Sequence, residues 1–197
     1  IFKFITPLKM SNFVKDITSH IEIFSEMKNL ESKIDQMIDE LVSALKNNKK
    51  LIICGNGGSA SDSQHIAAEF VGRFKEDRKA LNAISLNTDT SILTAIANDY
   101  GFENVFSRQI EATGNDGDIL LAISTSGLSE NILRAAKVCN KNNIKVFSLT
   151  GQNKTELTDI SDISLQIKSS DTARIQECHI FLGQYLCQEV EKKMGLV

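Results

Sequence analysis

The sequence is poor in cysteine, and none of its cysteines is spaced for a metal or redox motif. The four, Cys54, Cys139, Cys178 and Cys187, lie in apolar or helical contexts, with no C-x-x-C pair among them. A chain of 197 residues with so few cysteines is not the small secreted type that depends on a disulfide framework. We expect buried, inert thiols and a reducing cytoplasm.

Long apolar runs and an excess of basic charge are also missing. No run approaches the roughly 18–20 apolar residues of a membrane span, so we expect no membrane segment. The net charge is −3, which argues against nucleic acid as a partner, because nucleic-acid-binding proteins usually present a basic face. The short run KNNKK, residues 46–50, is interpreted as a solvated helix end.

Repeats, linkers and low-complexity tracts are absent as well, which favours one domain. The only proline, Pro7, lies in the opening stretch IFKFITPLKM, which lacks the small-residue cleavage site of a signal peptide. Residues 1–9 are therefore interpreted as a tag or an extended start, and residues 10–197 as a single domain. The hydrophobic share of 42% is enough to fill one core.

Apolar periodicity predicts an α/β fold. Residues 11–48 repeat at helical spacing and predict two N-terminal helices. Short apolar runs, as in strands buried on both faces, then alternate with helical segments, which predicts a central parallel sheet of about five strands between helical layers. The predicted strands are residues 51–54, 80–86, 119–123, 146–149 and 163–167. The predicted helices are residues 59–74, 90–97, 129–140, 155–160 and 171–193.

Two predicted strands end in loops of unusual composition. The first strand runs into Gly55-Asn56-Gly57-Gly58-Ser59, and the third runs into Ser124-Thr125-Ser126-Gly127-Leu128-Ser129. Each loop leads into a helix, whose N-terminal amides attract anions. Ligands of open parallel sheets bind beyond the carboxyl ends of the strands. Two such loops together favour a site for a phosphate or a sugar phosphate.

Two alternatives remain for these loops. Their glycines could make tight turns, with Ser59 and Ser129 as N-caps. The spacing of Gly55, Gly57 and Ala60 also satisfies a loose dinucleotide fingerprint, but that fingerprint requires an acid at the end of the second strand. The nearest acids, Glu76 and Asp77, precede that strand. The Walker pattern is absent.

Candidate chemical groups follow the first loop and recur near the end of the chain. His65, Glu69 and Arg73 share one face of the helix. His65 and Glu69 form a candidate metal pair or acid–base couple, and a salt-bridged surface is the alternative. The last helix carries Arg174, Gln176, His179 and Gln184, with Asp171 near its start. His179 alone is interpreted as a packing histidine. The predicted core residues of this helix are Ile175, Ile180, Phe181 and Leu186.

These segments are similar to those of a known family. The stretches CGNGGSASDSQHIAAEFVGRF, LNTDTSILTAIANDYGFENVFSRQ, GDILLAISTSGLSENIL and DTARIQECHI resemble, in order and spacing, the sugar isomerase (SIS) domain of phosphoheptose isomerases. The resemblance covers residues 11–193. It implies a flavodoxin-like three-layer sandwich, a homotetramer with active sites between subunits, and conversion of sedoheptulose 7-phosphate to heptose 7-phosphate, an early step toward nucleotide-activated heptose.

The resemblance also implies the roles of individual residues. Glu69, with His65, would be catalytic, and zinc would be held by His65, Glu69, Gln176 and the residue at position 184. The substrate-binding residues would be Asn56, Gly57, Gly58, Ser59, Glu69, Asn98, Asp99, Ser124, Thr125, Ser126, Ser129 and Gln176. On the residues alone, Asn98 and Asp99 are equally interpreted as a helix C-cap.

One position departs from the family pattern. The family has a histidine where this chain has Gln184, and that histidine is a metal ligand and proposed proton carrier. A glutamine amide does not shuttle protons at neutral pH, and zinc prefers imidazole to a neutral amide. Weaker zinc binding or reduced activity is expected. The alternative is a non-catalytic SIS-domain regulator that senses a phosphosugar or binds protein, such as the bacterial replication-initiator-associating protein. That protein lacks the same histidine but also lacks the helix glutamate, which this chain keeps as Glu69.

Overall fold

Five parallel strands form the central sheet of the computed structural model, which describes residues 11–197. Residues 1–9, interpreted above as a tag or extended start, lie outside the described residues. The strands are β1 (Leu51–Gly55), β2 (Ala83–Ser85), β3 (Ile119–Ser124), β4 (Lys145–Thr150) and β5 (Ile163–Gln166). Their order is β2-β1-β3-β4-β5, and the predicted parallel sheet is confirmed.

Helices cover both faces of this sheet. They are α1 (Asn12–Glu26), α2 (Glu31–Lys46), α3 (Gly58–Val71), α4 (Thr90–Tyr100), α5 (Ser107–Thr113), α6 (Glu130–Lys141), α7 (Glu156–Ile160) and α8 (Thr172–Lys193), with 3₁₀ turns at Met27–Leu30 and Phe102–Asn104. Asp171 caps α8, as its side chain accepts hydrogen bonds from the amides of Ala173 and Arg174. The three-layer α/β architecture with N-terminal helices is therefore as predicted.

Strand side chains point alternately to two separate cores. On one face, α2, α3 and α8 pack against residues such as Ile53 and Leu121. On the other, α5, α6 and α7 pack against residues such as Ile52 and Leu120. Strands β1 and β3 are buried along their whole length, which explains why they read as continuous apolar runs.

The helix α1 packs only partly against this core, through Ile23 and Phe24, and none of its residues is fully buried. Its apolar side chains Phe13, Ile17 and Ile21 are exposed, and Phe181 on α8 is 44% exposed. The prediction that Phe181 belongs to the core is therefore wrong for a single chain. An apolar groove lies beside Phe24 and Phe181, between the 3₁₀ turn that follows α1 and the helix α8.

Two other predictions need correction, and one helix was missed. The strand predicted at residues 80–86 pairs only over Ala83–Ser85, because Leu81 is tied instead to the end of α3 through a hydrogen bond to the Phe70 carbonyl. The helix α5 was not predicted. The run KNNKK is not wholly solvated, because Lys50 forms an ion pair with the buried Asp118.

The cysteines behave as expected. All four are free and buried, and burial raises the pKa of Cys139 to about 12 and that of Cys178 to about 11. Such thiols stay protonated and unreactive at neutral pH. Among the residues that the structure describes, no helix combines the length and the apolar character that crossing a membrane requires.

Candidate active site

The two predicted loops lie side by side at one edge of the sheet. The first loop (residues 55–61) follows β1 and the second loop (residues 124–129) follows β3, and these strands are neighbours with Gly55 paired to Ile123. The first loop leads into α3 on one face, and the second leads into α6 on the other. The crevice between them is the topological switch point at which open parallel sheets bind ligands.

The first loop turns on a glycine and presents bare backbone. Gly57 has φ +57° and is the N-cap of α3, a conformation that favours glycine. The amides of Gly57 and Gly58 donate to no backbone acceptor within residues 11–197. A Cβ on Gly58 would lie 2.5 Å from the Gln176 side-chain nitrogen, so Gln176 borders this loop as predicted. Ser59 is not the N-cap but is buried inside the first turn.

Asparagine side chains fix the start of this loop on both sides. The Asn87 side chain accepts from the Gly55 amide at 3.2 Å and donates to the Gly55 carbonyl at 2.9 Å. The Asn56 and Asn131 amides donate to each other's oxygens, both at 2.9 Å. Asn131 lies in the first turn of α6 and is 3% exposed. This second pair joins the two loops across the crevice.

The second loop is a tight, hydroxyl-rich turn. The Ser124 hydroxyl accepts from the Gly127 amide at 3.1 Å and lies 3.3 Å from the Ser129 hydroxyl. Ser129 is the N-cap of α6, but its side chain makes no capping hydrogen bond, so its hydroxyl remains available to a ligand. The Thr125 carbonyl accepts from the Gly151 amide, which anchors the loop to the end of β4. Ser126 is exposed.

His65 and Glu69 face each other on α3, just behind the first loop. His65 Nε2 lies 3.0 Å from Glu69 Oε1, with the side chains 48% and 21% exposed. Asp62, one turn earlier, has a pKa that burial raises and that nearby His65 lowers in part. Its buried Oδ2 has no partner within the described chain. Arg73 lies beyond the helix and donates to the Lys75 carbonyl, so it does not extend this pair.

The other predicted residues lie on α8 and at the end of α4. Gln176 borders Gly58, which lies about 10 Å along α3 from His65. Gln184 is half-buried and follows Gly183, which packs against Ile66 of α3, so it lies beside the turn of α3 that carries His65 and Glu69. Asn98 and Asp99 are exposed, with Asn98 donating to Asp99 at 2.7 Å. They lie within the last turn of α4, whose C-cap is Gly101, so the C-cap interpretation is wrong.

His65 and Glu69 are the candidate metal ligands that lie closest together in the chain. No group of three His, Cys, Asp or Glu side chains that could hold a metal exists among residues 11–197. His65 and Glu69 offer an imidazole nitrogen and a carboxylate oxygen close together, which are two ligands of the kind that zinc prefers. The amides of Gln176 and Gln184 are weaker ligands for zinc. The residues present therefore fit a weakly held divalent ion.

Two buried polar side chains of α8, Glu191 and His179, help to hold the fold together, and only His179 was recognised from the sequence. The Arg78 guanidinium pairs with Glu191 at 2.7 Å, and the two side chains are only 1% and 2% exposed. Arg78 also donates to the Glu69 carbonyl at 2.7 Å, and so holds the end of α3. His179 is fully buried, with Nε2 3.2 Å from the Thr150 carbonyl. Burial lowers the pKa of His179 to about 4, so it is the packing histidine that the sequence indicated.

The dinucleotide alternative loses support from β2. The residues that follow β2 are Leu86 and Asn87, and the Asn87 side chain is engaged with Gly55. The first acid after the strand, Asp89, caps α4 by accepting from the Ile92 amide. No carboxylate therefore follows β2 in the position that would bind a ribose in a dinucleotide site.

Comparison with known proteins agrees with this architecture and identifies the chain as a SIS-domain protein. The SIS domain family model matches residues 12–151. The chain is 49% identical over 177 residues to the phosphoheptose isomerase of Campylobacter concisus, which covers 90% of this chain and 94% of the relative. It is 48% identical to that of Helicobacter pylori, covering 90% and 93%.

Solved structures of phosphoheptose isomerases are similar to this chain as well. The phosphoheptose isomerase of Neisseria gonorrhoeae superposes with a TM-score of 0.87 at 38% identity, covering 91% of this chain and 97% of the other. The phosphoheptose isomerase of Francisella tularensis superposes with a TM-score of 0.88 at 36% identity, covering 93% of this chain and 100% of the other. The chain belongs to the phosphoheptose isomerase family of SIS-domain proteins.

Proposed function

We propose that this protein interconverts sedoheptulose 7-phosphate and D-glycero-D-manno-heptose 7-phosphate, an aldose–ketose isomerisation early in nucleotide-activated heptose biosynthesis. One observation carries the proposal: two donor-rich loops meet at neighbouring strand ends, and the His65–Glu69 pair lies on the helix that leaves one of them. Relatives that share nearly half of the sequence bear the isomerase name. The regulator alternative is not favoured, since Glu69 is retained beside His65.

The loops supply a grip for the phosphate end of the substrate. Free amides of Gly57 and Gly58 and the hydroxyls of Ser124, Thr125, Ser126 and Ser129 are neutral donors around the crevice. Together with two helix N-termini they suit a phosphate without lysine or arginine. Ser59 is buried within α3 and would contribute through its backbone. Asn98 and Asp99 would contact substrate from a different subunit's side of the site.

The carboxylate supplies the proton transfer. Isomerisation moves a proton between C1 and C2 through an enediolate and needs a base near those carbons. Glu69 is the proposed base, since it is only partly exposed and is held by His65 at 3.0 Å. His65 orients this carboxylate through its Nε2. Gln176, next to Gly58, would bind a hydroxyl of the sugar between the two ends.

We further propose one zinc ion per subunit, weakly held. His65, Glu69 and Gln176 would bind it, and Gln184 would be a weak fourth ligand because zinc prefers imidazole to a neutral amide. Held by these residues, such an ion would supply Lewis-acid polarisation of the substrate carbonyl. Firm coordination by Glu69 would make that carboxylate a poorer base, so weak binding and proton transfer are compatible demands on the same residue.

A homotetramer with active sites between subunits is proposed as well. Support comes from α1, which has no fully buried residue in one chain and exposes Phe13, Ile17 and Ile21. Contiguous apolar surface of this kind marks interaction sites. Light scattering after gel filtration measures the oligomeric state. Ile21→Glu is expected to lower the molar mass of the assembly, and Glu22→Lys is the control.

We also propose a cytoplasmic location, which the buried, protonated cysteines support.

The proposed reaction is tested directly by NMR. Purified protein is incubated with sedoheptulose 7-phosphate, with and without zinc, and the anomeric proton of the aldose product is followed. Fructose 6-phosphate serves as a shorter phosphosugar control. We expect a new anomeric signal that depends on protein concentration. Absence of product and of solvent exchange at C1 under both conditions would exclude the isomerase function.

A further inference from the structure

The Asn56–Asn131 pair joins two segments 75 residues apart in the sequence. Asn56 is half-buried in the first loop, whereas Asn131 is 3% exposed. Asn131 lies two residues after the Ser129 N-cap of α6. A single amide contact therefore links the turn that follows β1 to the helix that follows the second loop.

The orientation of both amides is set by the backbone. Asn131 Oδ1 accepts from the Ile132 amide at 3.0 Å, and a backbone N–H requires an acceptor, so this atom is the oxygen. It also accepts from Asn56 Nδ2 at 2.9 Å. The Asn131 nitrogen then donates to Asn56 Oδ1 at 2.9 Å. Both functional atoms of the Asn56 amide are consequently engaged by Asn131.

The position of Asn56 determines where the ligand-facing amides point. The next residue, Gly57, makes the turn with φ +57°, and Gly58 packs against Gln176. The preceding residue, Gly55, is already clamped by Asn87. The contact with Asn131 thus fixes the one loop residue between the clamp and the turn.

We propose that Asn131 is a positioning residue for the phosphosugar site: it holds Asn56 so that the first loop offers its Gly57 and Gly58 amides at a fixed distance from the second loop. Asn56 then meets the substrate through its main chain and not through its side-chain amide. Asn131 itself touches no substrate. This inference rests on the proposed phosphosugar function, but its test does not require turnover.

The test is a double-mutant cycle on binding. Affinity for sedoheptulose 7-phosphate is measured by calorimetry in a Glu69→Gln background, which prevents turnover. Asn56→Ala and Asn131→Ala are each expected to weaken binding about tenfold, because either change removes both hydrogen bonds of the pair. The double variant is expected to lose about tenfold and not about a hundredfold, because both single changes break the same contact.

Controls separate positioning from simple destabilisation. Asn140→Ala removes an exposed amide of the same helix, which donates to the Ile160 carbonyl, and should leave affinity unchanged. In protein with Glu69 intact, Asn131→Ala should raise KM with little change in kcat, whereas partial unfolding lowers kcat at constant KM. Faster amide hydrogen exchange in residues 55–61 is expected with or without ligand.

Clear outcomes overturn the proposal. Additive losses in the cycle would mean that the two asparagines act through separate contacts. Unchanged affinity and unchanged exchange in Asn131→Ala would mean that the pair positions nothing. If Asn131→Ala does not fold, Asn56→Ala and Asn131→Asp carry the test, since aspartate keeps the acceptor but loses the donor. No binding by the parent protein, together with faster exchange in the variant, would reject the proposed function and not the positioning role.

Discussion

His65 Nε2 and Glu69 Oε1 lie 3.0 Å apart, one helical turn from each other on α3. The imidazole is nearly half exposed and the carboxylate is about one-fifth exposed. A carboxylate that is partly shielded and oriented by a neighbouring ring can accept a proton from a bound substrate while remaining open to it. This relationship makes Glu69 the first residue to test.

Replacing Glu69 by glutamine should abolish turnover and spare binding. Glutamine keeps the size and the contact with His65 but accepts no proton. We expect kcat for sedoheptulose 7-phosphate to fall by about 10²–10⁴-fold, the usual contribution of a general base, with phosphosugar affinity changed by less than about threefold. Glu111→Gln, an exposed carboxylate on α5, is the control. Turnover equal to that of the parent protein would remove Glu69 from the proposed role.

Restoring histidine at position 184 should tighten zinc. Imidazole is a better zinc ligand than a neutral amide, so Gln184→His should raise zinc affinity about tenfold or more, measured by competition with a chromophoric chelator. Gln188→His, one turn further along α8, is the matched control and should have no such effect. If both variants bind zinc as the parent does, residue 184 is not a ligand in this protein.

Sequence patterns predicted the loops well because the signal is local. Glycines and hydroxyl residues directly follow apolar strands, and parallel pairing brings consecutive strand ends to one edge. The role of Asn131 has no such signal, since its partner is 75 residues away and an asparagine in a helical first turn is unremarkable. Arg78 and Glu191 are 113 residues apart, so their ion pair is equally invisible to periodicity.

The errors in predicted elements have similar causes. The helix α5 has seven residues and only one fully apolar core side chain, Ile110, too short a pattern to separate from a loop. Strand β2 was predicted too long because Leu81 is buried without pairing in the sheet. Phe181 was predicted as a core residue because it is apolar and lies in a helix, but it is exposed on the surface of the chain.

Buried His179 should make the protein sensitive to acid. Its pKa is lowered from 6.5 to about 4 by burial, so between these values the unfolded chain takes up a proton that the folded chain refuses. The contribution of His179 to the free energy of unfolding is fully present above about pH 6.5 and is lost as the pH falls toward 4. The loss between pH 7 and pH 5 should be about 2 kcal/mol, measured by urea unfolding.

The variant His179→Gln isolates this contribution. Glutamine can still donate to the Thr150 carbonyl but does not titrate, so its stability should fall less between pH 7 and pH 5 than that of the parent. An identical acid-induced loss in parent and His179→Gln would show that His179 is not the cause.

Removing Arg78 should strongly destabilise the fold near the active site. The guanidinium is 1% exposed, pairs with Glu191 and donates to the carbonyls of Glu69 and Phe70. Arg78→Met leaves a buried carboxylate unpaired and should lower the free energy of unfolding by about 3–5 kcal/mol, measured in urea. The double variant Arg78→Met/Glu191→Leu should recover part of this loss, because it removes the stranded charge. Glu40→Gln, which breaks the exposed pair with Lys145, should cost less than about 1 kcal/mol. Equal effects of the buried and the exposed change would show that burial does not govern this ion pair.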